Sequence, residues 1–239
     1  PEARGLLILR PEKPYTAAGL DALRGYLERG GRLAVFLEPD AVTNLGELLT
    51  EFGIRPIGRR VVDPGAPTAA VGFPGLIVGR FGNHPAVRLF SSGQVTFFGA
   101  ATGFRLVKTE STDRLHGLAF TGIEGRPADS PELPGDFVPL AVAGERARSG
   151  ARIVAFGDAD LATNRLLRSV YNIDLVMNAI AWLLERPEQL TLRPKSVRAV
   201  TDQRPVVLGE ALLSFFGVGL LVPELLVLAA GLLWLRARG

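Results

Sequence analysis

The residues best suited to chemistry in this sequence follow an apolar run in its second half. Arg152–Asn164 reads RIVAFGDADLATN, so a strand-like stretch is followed by Asp158, Asp160 and Asn164. Acidic side chains just beyond a strand of an open α/β sheet lie where such proteins bind metal ions and ligands or place an acid–base pair. The pattern is therefore compatible with three roles for this loop: catalysis, ligand binding or a purely structural one.

Catalysis at this loop lacks partner residues. The two histidines, His84 and His116, do not have a metal-binding spacing, the chain has no Cys, and no G-x-S-x-G elbow occurs. An active site needs a nucleophile, a base and an orienting group together. We therefore predict that the protein is not an enzyme and that it has no catalytic residue, no metal site and no cofactor.

Ligand binding and a structural role stay open for the same loop. Asp158, Asp160 and Asn164 could recognise a sugar, a peptide or a cation at a concave sheet edge. Asp and Asn after a strand also form Asx turns and cap the next helix. We favour the structural role and keep the three residues as the candidate ligand-binding set.

The elements that position the loop follow from the pattern of apolar residues. Gly5–Leu9 and Leu33–Leu37 are short apolar runs, and between them Leu20, Leu23 and Leu27 share one face of a helix. Continuous apolar strands joined by a helix predict a βαβ unit in a parallel sheet.

A later helix is predicted directly after the acidic loop. It runs from Ile173 to Glu185, and its apolar spacing places four residues toward the core: Ile173, Met177, Ile180 and Leu184.

Two further features carry weaker signals. Gly99–Gly103 reads GAATG after an apolar strand, which is a weak signal for a phosphate-binding loop because it lacks the Lys and the spacing of a P-loop. His84 precedes Pro85, so we expect it to bond its own turn or to lie at the surface.

Composition excludes one class of partner. The formal net charge is +3, and the basic residues are spread along the chain without aromatic residues between them. Nucleic-acid binding is therefore not expected.

The C-terminal segment has the composition of a membrane span. Leu212–Leu235 carries one charge, and as a helix it would be roughly 36 Å long against a hydrocarbon core of about 30 Å. Trp234 suits a membrane interface, and Arg236 and Arg238 follow it. By the positive-inside rule this end is cytoplasmic and the preceding domain is extracytoplasmic.

The single charge in this segment needs a partner. Glu224 at mid-membrane would cost about 2.5–3.5 kcal/mol, and Pro223 before it should bend the helix. We therefore predict that Pro223 and Glu224 contact a membrane partner.

Three stretches together resemble a known family. They are YTAAGLDALRGYLERGGRLAVFLEPD, RIVAFGDADLATNRLLRSVYNIDLVMNAIAWLLE and the apolar C-terminus with its Arg-rich tail. In this order they resemble the GldG-like family, auxiliary components of uncharacterised ABC transport systems named from gliding motility. The chain departs from the family pattern at Ala159, where Ser is common. Because it begins at Pro1 and lacks the family's N-terminal region, we expect a C-terminal portion of a longer protein.

The resemblance implies a fold and a location. The fold would be α/β, a flavodoxin-like or glutamine-amidotransferase-like three-layer domain with a single C-terminal transmembrane helix. Residues 1–190 would form the extracytoplasmic domain, 191–210 a juxtamembrane stalk, 211–235 the transmembrane helix and 236–239 a cytoplasmic tail. The protein would then lie in the cytoplasmic membrane.

The resemblance also implies a function. The protein would be a non-catalytic, membrane-anchored accessory subunit of an ABC-type transporter, whose outer domain contacts substrate or partner proteins. Its partners would be the ABC permease and its ATPase, together with an extracytoplasmic ligand. The alternative is a stand-alone extracytoplasmic ligand-binding or degenerate hydrolase-like domain.

Overall fold

The structure, a computed structural model, describes most of the chain. The described residues are 3–66, 75–108, 110, 113–186, 188, 190–191 and 222–238. The chain divides into two compact units, Pro1–Arg193 and Pro194–Gly239.

Strands are the commonest regular elements of the first unit. In chain order they are β1 (Leu6–Leu9), β2 (Arg32–Phe36), β3 (Ile54–Val62), β4 (Leu76–Val78), β5 (Arg80–Phe81), β6 (Thr96–Phe98), β7 (Thr102–Leu106), β8 (Arg114–Phe120), β9 (Arg126–Pro127), β10 (Pro139–Arg146) and β11 (Ala151–Phe156).

Three α-helices and two short 3-10 turns accompany these strands. The helices are α1 (Ala17–Glu28), α2 (Leu45–Glu51) and α3 (Asn172–Leu183), and the 3-10 turns are Pro85–Val87 and Ala159–Ala162. The second unit contains the helix α4 (Val222–Arg238).

The predicted βαβ unit is confirmed. β1 and β2 pair in parallel, with Leu6 opposite Leu33 and Leu9 opposite Phe36. α1 connects them, and the hydroxyl of Thr16 caps its start by accepting a hydrogen bond from the Gly19 N–H at 3.1 Å.

The predicted flavodoxin-like or amidotransferase-like fold is wrong. The large sheet has the order β1-β2-β11-β10-β8-β5; β2 pairs with β11 in parallel, while the pairings of β10 and β8 beyond it are antiparallel. The remaining strands form two small sheets, β7-β3-β9 and β4-β6. The described chain is therefore mixed α/β and mostly sheet. The prediction failed because no α-helix lies between β3 and β11 in the described part of the chain, so no crossover helix follows β3, and the later strands pair with antiparallel neighbours.

Apolar side chains fill the core on both faces of the large sheet. On one face Leu33 and Val35 pack with leucines of α1 and α2. On the other, Phe36 and Phe156 lie side by side in register and stack with ring centroids 4.6 Å apart, among residues of α3. Alternate residues of β2 thus serve opposite faces, as the two-residue period of a strand requires.

The predicted inward face of α3 is wrong at Met177, whereas Ile180 packs against the core as predicted. Met177 is 44% exposed, whereas Leu175 and Ala179 are fully buried and pack in the core. Because apolar residues occur almost all round this helix, their spacing does not distinguish the face toward the sheet from the outward face.

Two arginines donate hydrogen bonds to the C-terminal end of α3. Arg32 and Arg152 lie opposite each other in the β2–β11 ladder. Their Nη1 atoms donate to the carbonyl oxygens of Leu183 and Trp182, at 3.2 and 2.9 Å. Helix C-termini carry partial negative charge and unpaired carbonyls, so this contact offsets the repulsion of two neighbouring cations.

The predicted transmembrane helix at 211–235 is wrong. None of the helices in the described part of the chain is both long enough and apolar enough to cross a membrane. α4 has 17 residues, about 26 Å of helix against a hydrocarbon core of about 30 Å. The predicted location in the cytoplasmic membrane is withdrawn with the span. The predicted stalk, after residue 191, lies outside the described residues.

The placement of Glu224 at mid-membrane is also corrected. α4 begins at Val222, so Pro223 and Glu224 lie in its first turn and Glu224 is exposed. Proline is tolerated in a first turn, and a carboxylate there interacts favourably with the helix dipole. Neither residue then requires a bend or a buried partner, and their contact with another protein stays a prediction.

Gly157, the residue after β11, lies where the backbone of β7 comes close. Its N–H donates to the Leu140 carbonyl at 2.9 Å, and its carbonyl accepts from the Thr102 N–H at 2.8 Å. A Cβ on Gly157 would overlap the Thr102 carbonyl oxygen. The glycine therefore permits β7 and β10 to bond the same residue.

We expect Gly157→Ala to destabilise the protein by about 3 kcal/mol or more, because the added Cβ must push backbone apart. Chemical denaturation measures this free energy of unfolding. Gly25→Ala is the control: on helix α1 its Cβ would meet only the mobile end of Arg29, so it should be neutral or stabilise by up to about 1 kcal/mol. Equal stabilities of the two variants would contradict the close approach.

Candidate functional site

Asp158 opens the turn that follows β11. It is fully buried and forms the N-cap of the 3-10 turn Ala159–Ala162. Its Oδ1 accepts a hydrogen bond from the Asp160 N–H at 2.9 Å, which is the geometry of an Asx turn.

The other oxygen of the Asp158 carboxyl group bonds a distant segment. Oδ2 accepts from the Gly99 N–H at 2.6 Å, and the Ala100 N–H also contributes a hydrogen bond to the carboxyl group. These amides belong to the GAATG turn between β6 and β7, the segment with a weak phosphate-loop signal. An internal carboxylate therefore takes the amides that could otherwise face an anion.

Burial governs the protonation of Asp158. Loss of hydration raises the pKa of its carboxyl group to about 6, although hydrogen bonds from the Gly99 and Asp160 N–H groups act in the opposite direction. Removing a carboxylate from water disfavours its ionised form, and backbone donors recover part of that cost.

Glu38 joins the acidic loop from the neighbouring strand. It follows β2, and its Oε1 accepts from the Ala159 N–H at 3.3 Å. Burial, followed by the charge of Asp158, raises its pKa. One carboxylate oxygen each from Glu38, Asp158 and Asp160 lie within 4.8 Å of one another, and such hard oxygen ligands could hold a cation.

Bonds within the protein already occupy much of this acidic group. Besides the two backbone bonds of Asp158, Asp160 Oδ2 lies 2.7 Å from Arg165 Nη1. The third predicted ligand residue, Asn164, is exposed on the turn. The structure therefore brings Asp158 and Asp160 together with Glu38, and no described hydrogen bond joins Asn164 to them.

Asn172, the first residue of α3, is a buried polar residue whose bonds to β6 the sequence did not indicate. Its side-chain amide accepts from the Phe97 N–H at 2.7 Å and donates to the Phe97 carbonyl at 2.8 Å and the Leu166 carbonyl at 2.9 Å. It thus pairs with β6 as another strand would. Glu38 was also missed, although its place directly after an apolar strand was the available signal.

His84 bonds its own turn, which is the first of the two roles expected for it; it does not lie at the surface. Its Nδ1 accepts from the Ala86 N–H at 3.2 Å. Burial, followed by the nearby His116 and Arg152, lowers the pKa of His84 to about 4, so its imidazole is neutral at pH 7. The His116 ring centroid lies 5.3 Å away.

An open groove of about 620 Å³ lies beside Glu38, between α2 and β3. Its charged lining residues are Glu38, Glu47, Glu51 and Arg55. Glu51 is held by Arg24, with Nη2 and Oε1 2.6 Å apart. The volume is within the range of small-molecule sites, about 300–1,000 Å³. The carboxyl end of β2, through Leu37 and Glu38, thus borders a concave surface.

Comparison with known proteins supports the fold alone. No family model matches the chain, and no curated protein sequence matches it. A solved structure described as "mmIFT52 N-terminal domain" is similar, with a TM-score of 0.59 and 17% sequence identity. The similarity covers 74% of this chain and 76% of that one. At this identity the two proteins share a mixed α/β fold, and function does not transfer with it.

We expect Asp158→Asn to change how stability depends on pH. Because the pKa of Asp158 in the folded protein is about 6, above the 3.8 of an ordinary aspartate, the folded state binds this proton more tightly than the unfolded chain. The resulting stabilisation is full below about pH 4 and is lost as the pH rises through 6, about 3 kcal/mol in all.

Asn does not titrate, so it is the matched reference for this effect. The free energy of unfolding of the wild type, minus that of Asp158→Asn, should fall by about 2.5 kcal/mol between pH 4 and pH 7. Urea denaturation at several pH values gives both quantities. A difference that is constant or rises over this range would contradict the effect of burial on Asp158.

Proposed function

We propose that this chain is a non-catalytic binding domain and an accessory subunit of an ABC-type transport complex. The observation that carries the non-catalytic part is the bonding of Asp158. Both of its carboxylate oxygens accept backbone N–H groups of the protein itself. A carboxylate held in this way positions two chain segments and is poorly placed to take a proton from a substrate.

The binding role is supported by the surface beside this loop. The groove next to Glu38 presents Glu47 and Arg55, two charged side chains on different elements, at the edge where open α/β sheets bind their ligands. The resemblance to the GldG-like family supplies the class of partner, an ABC permease and its ATPase. We propose that the groove contacts one of these partners.

The second candidate is a stand-alone ligand-binding domain. The volume of the groove, about 620 Å³, favours it because that is enough space for a small molecule. The two candidates differ in what occupies the groove, a protein surface or a soluble ligand.

Copurification with the transport proteins tests the proposal. The chain, carrying an affinity tag and expressed in its native cells, should recover an ABC permease and an ATPase. Glu47→Lys should lower that recovery severalfold, because it reverses a charge on the groove surface. Glu132→Lys, which makes the same change at an exposed residue away from the groove lining, is the matched control and should leave recovery unchanged.

Two results would count against the proposal. Recovery of neither transport protein with the wild type would reject the accessory role. Equal losses with Glu47→Lys and Glu132→Lys would reject the groove as the contact surface. If no transport protein is recovered but a small molecule copurifies and is lost with Glu47→Lys, the second candidate is correct.

A further inference from the structure

A second cavity lies away from the acidic loop, where strands of different sheets end. Its volume is about 300 Å³. Asp63 follows the end of β3, Gly122 follows β8, and Arg80 begins β5; all three residues line it. This volume is at the lower limit for small-molecule sites, so the cavity suits a compact ligand.

Asp63 is the unusual residue of this cavity. It is only 5% exposed, yet its Oδ1 has no hydrogen-bond partner among the described residues. Its Oδ2 accepts the Gly122 N–H at 2.5 Å. A buried carboxylate is costly unless its charge is paired, so the environment of Asp63 favours a cationic partner.

Arg80 supplies the opposite charge on the same cavity. Its guanidinium stacks on the Phe137 ring, 4.0 Å from the centroid, and makes no ion pair with a described residue. Stacking fixes the plane of the group and leaves its N–H donors available at the edge, where they suit a carboxylate.

Apolar residues form part of the rim beside Asp63 and Arg80, and Glu124 is a third charged residue of the lining. Ile77 and Ile123 are 40% and 66% exposed, and Phe120 lies beside them. Large exposed side chains around a cavity with a few polar groups are typical of ligand sites.

We propose that this cavity binds a small zwitterion with an apolar body, a free amino acid of the leucine type. Its ammonium group pairs with Asp63, its carboxylate with Arg80, and its side chain lies against the isoleucine rim. The proposal is independent of the function proposed above, because no residue of the groove lines this cavity.

Calorimetric titration of the whole chain with three probes tests this assignment. L-Leucine carries both charges, 3-methylbutylamine only the ammonium group, and 4-methylpentanoate only the carboxylate. Leucine should bind most tightly, the amine more weakly and the acid least, because the buried carboxylate gains most from a cation. No binding of leucine at millimolar concentration, or tightest binding of the acid, overturns the proposal.

Two variants separate the charges. Asp63→Asn keeps an oxygen acceptor for the Gly122 N–H but removes the charge, and it should weaken leucine and amine binding by at least about tenfold. Arg80→Leu should weaken the binding of leucine by a similar factor and leave the affinity for 3-methylbutylamine unchanged. Glu132→Gln is the control, an exposed carboxylate outside the cavity lining, and should leave all affinities unchanged.

The results decide the assignment in each case. Wild-type affinity for leucine in Asp63→Asn overturns it. If circular dichroism shows that Asp63→Asn does not fold, the Arg80→Leu variant decides. Lost binding of leucine together with retained binding of 3-methylbutylamine supports the site, and any other pattern overturns it.

Discussion

The structure depends on one buried carboxylate that holds two distant segments together. Asp158 bonds Gly99, 59 residues earlier in the chain, with one oxygen and its own turn with the other. Without this contact, the N–H of the half-buried Gly99 in the β6–β7 turn would lose its acceptor. The protein thus places a charged group in its interior, and backbone donors offset part of the cost of burying it.

Asp158 and Gly157 both join the end of β11 to β7 and the turn that precedes it. Gly157 lets β7 come close enough to bond its carbonyl, and Asp158 then bonds the turn that precedes β7. At the opposite end of the same strand, Arg152 and its neighbour Arg32 bond the last carbonyls of α3. Polar contacts at both ends of β11 therefore fix the elements packed around an apolar centre.

The sequence predicted the local elements of this fold better than their assembly. The βαβ unit was predictable because its apolar runs and its capping Thr16 are local signals. The antiparallel half of the sheet was not, because the pairing of β8 with β10 and with β5 depends on contacts between segments distant in the chain. The exposure of Met177 was missed for a similar reason: α3 is apolar almost all round, and only packing selects its inner face.

The candidate site shows the same division between local and distant contacts. Asp158 and Asp160 were predicted from their place after a strand, and the Asx turn they form is local. The bond from Gly99 and the approach of Glu38 depend on the order of strands, which no short motif specifies. The apolar C-terminal segment was misread because composition and total length were used, whereas the described helix begins at Val222, short of a full span.

Amide hydrogen exchange at Gly99 tests the central claim, that Asp158 holds the two segments together. In the wild type the Gly99 N–H should exchange slowly by NMR, because its acceptor is fully buried. In Asp158→Ala that amide should exchange much faster, while amides in the β2–β11 ladder stay protected. Rapid exchange of Gly99 in the wild type, or equal protection in the two proteins, would contradict the account.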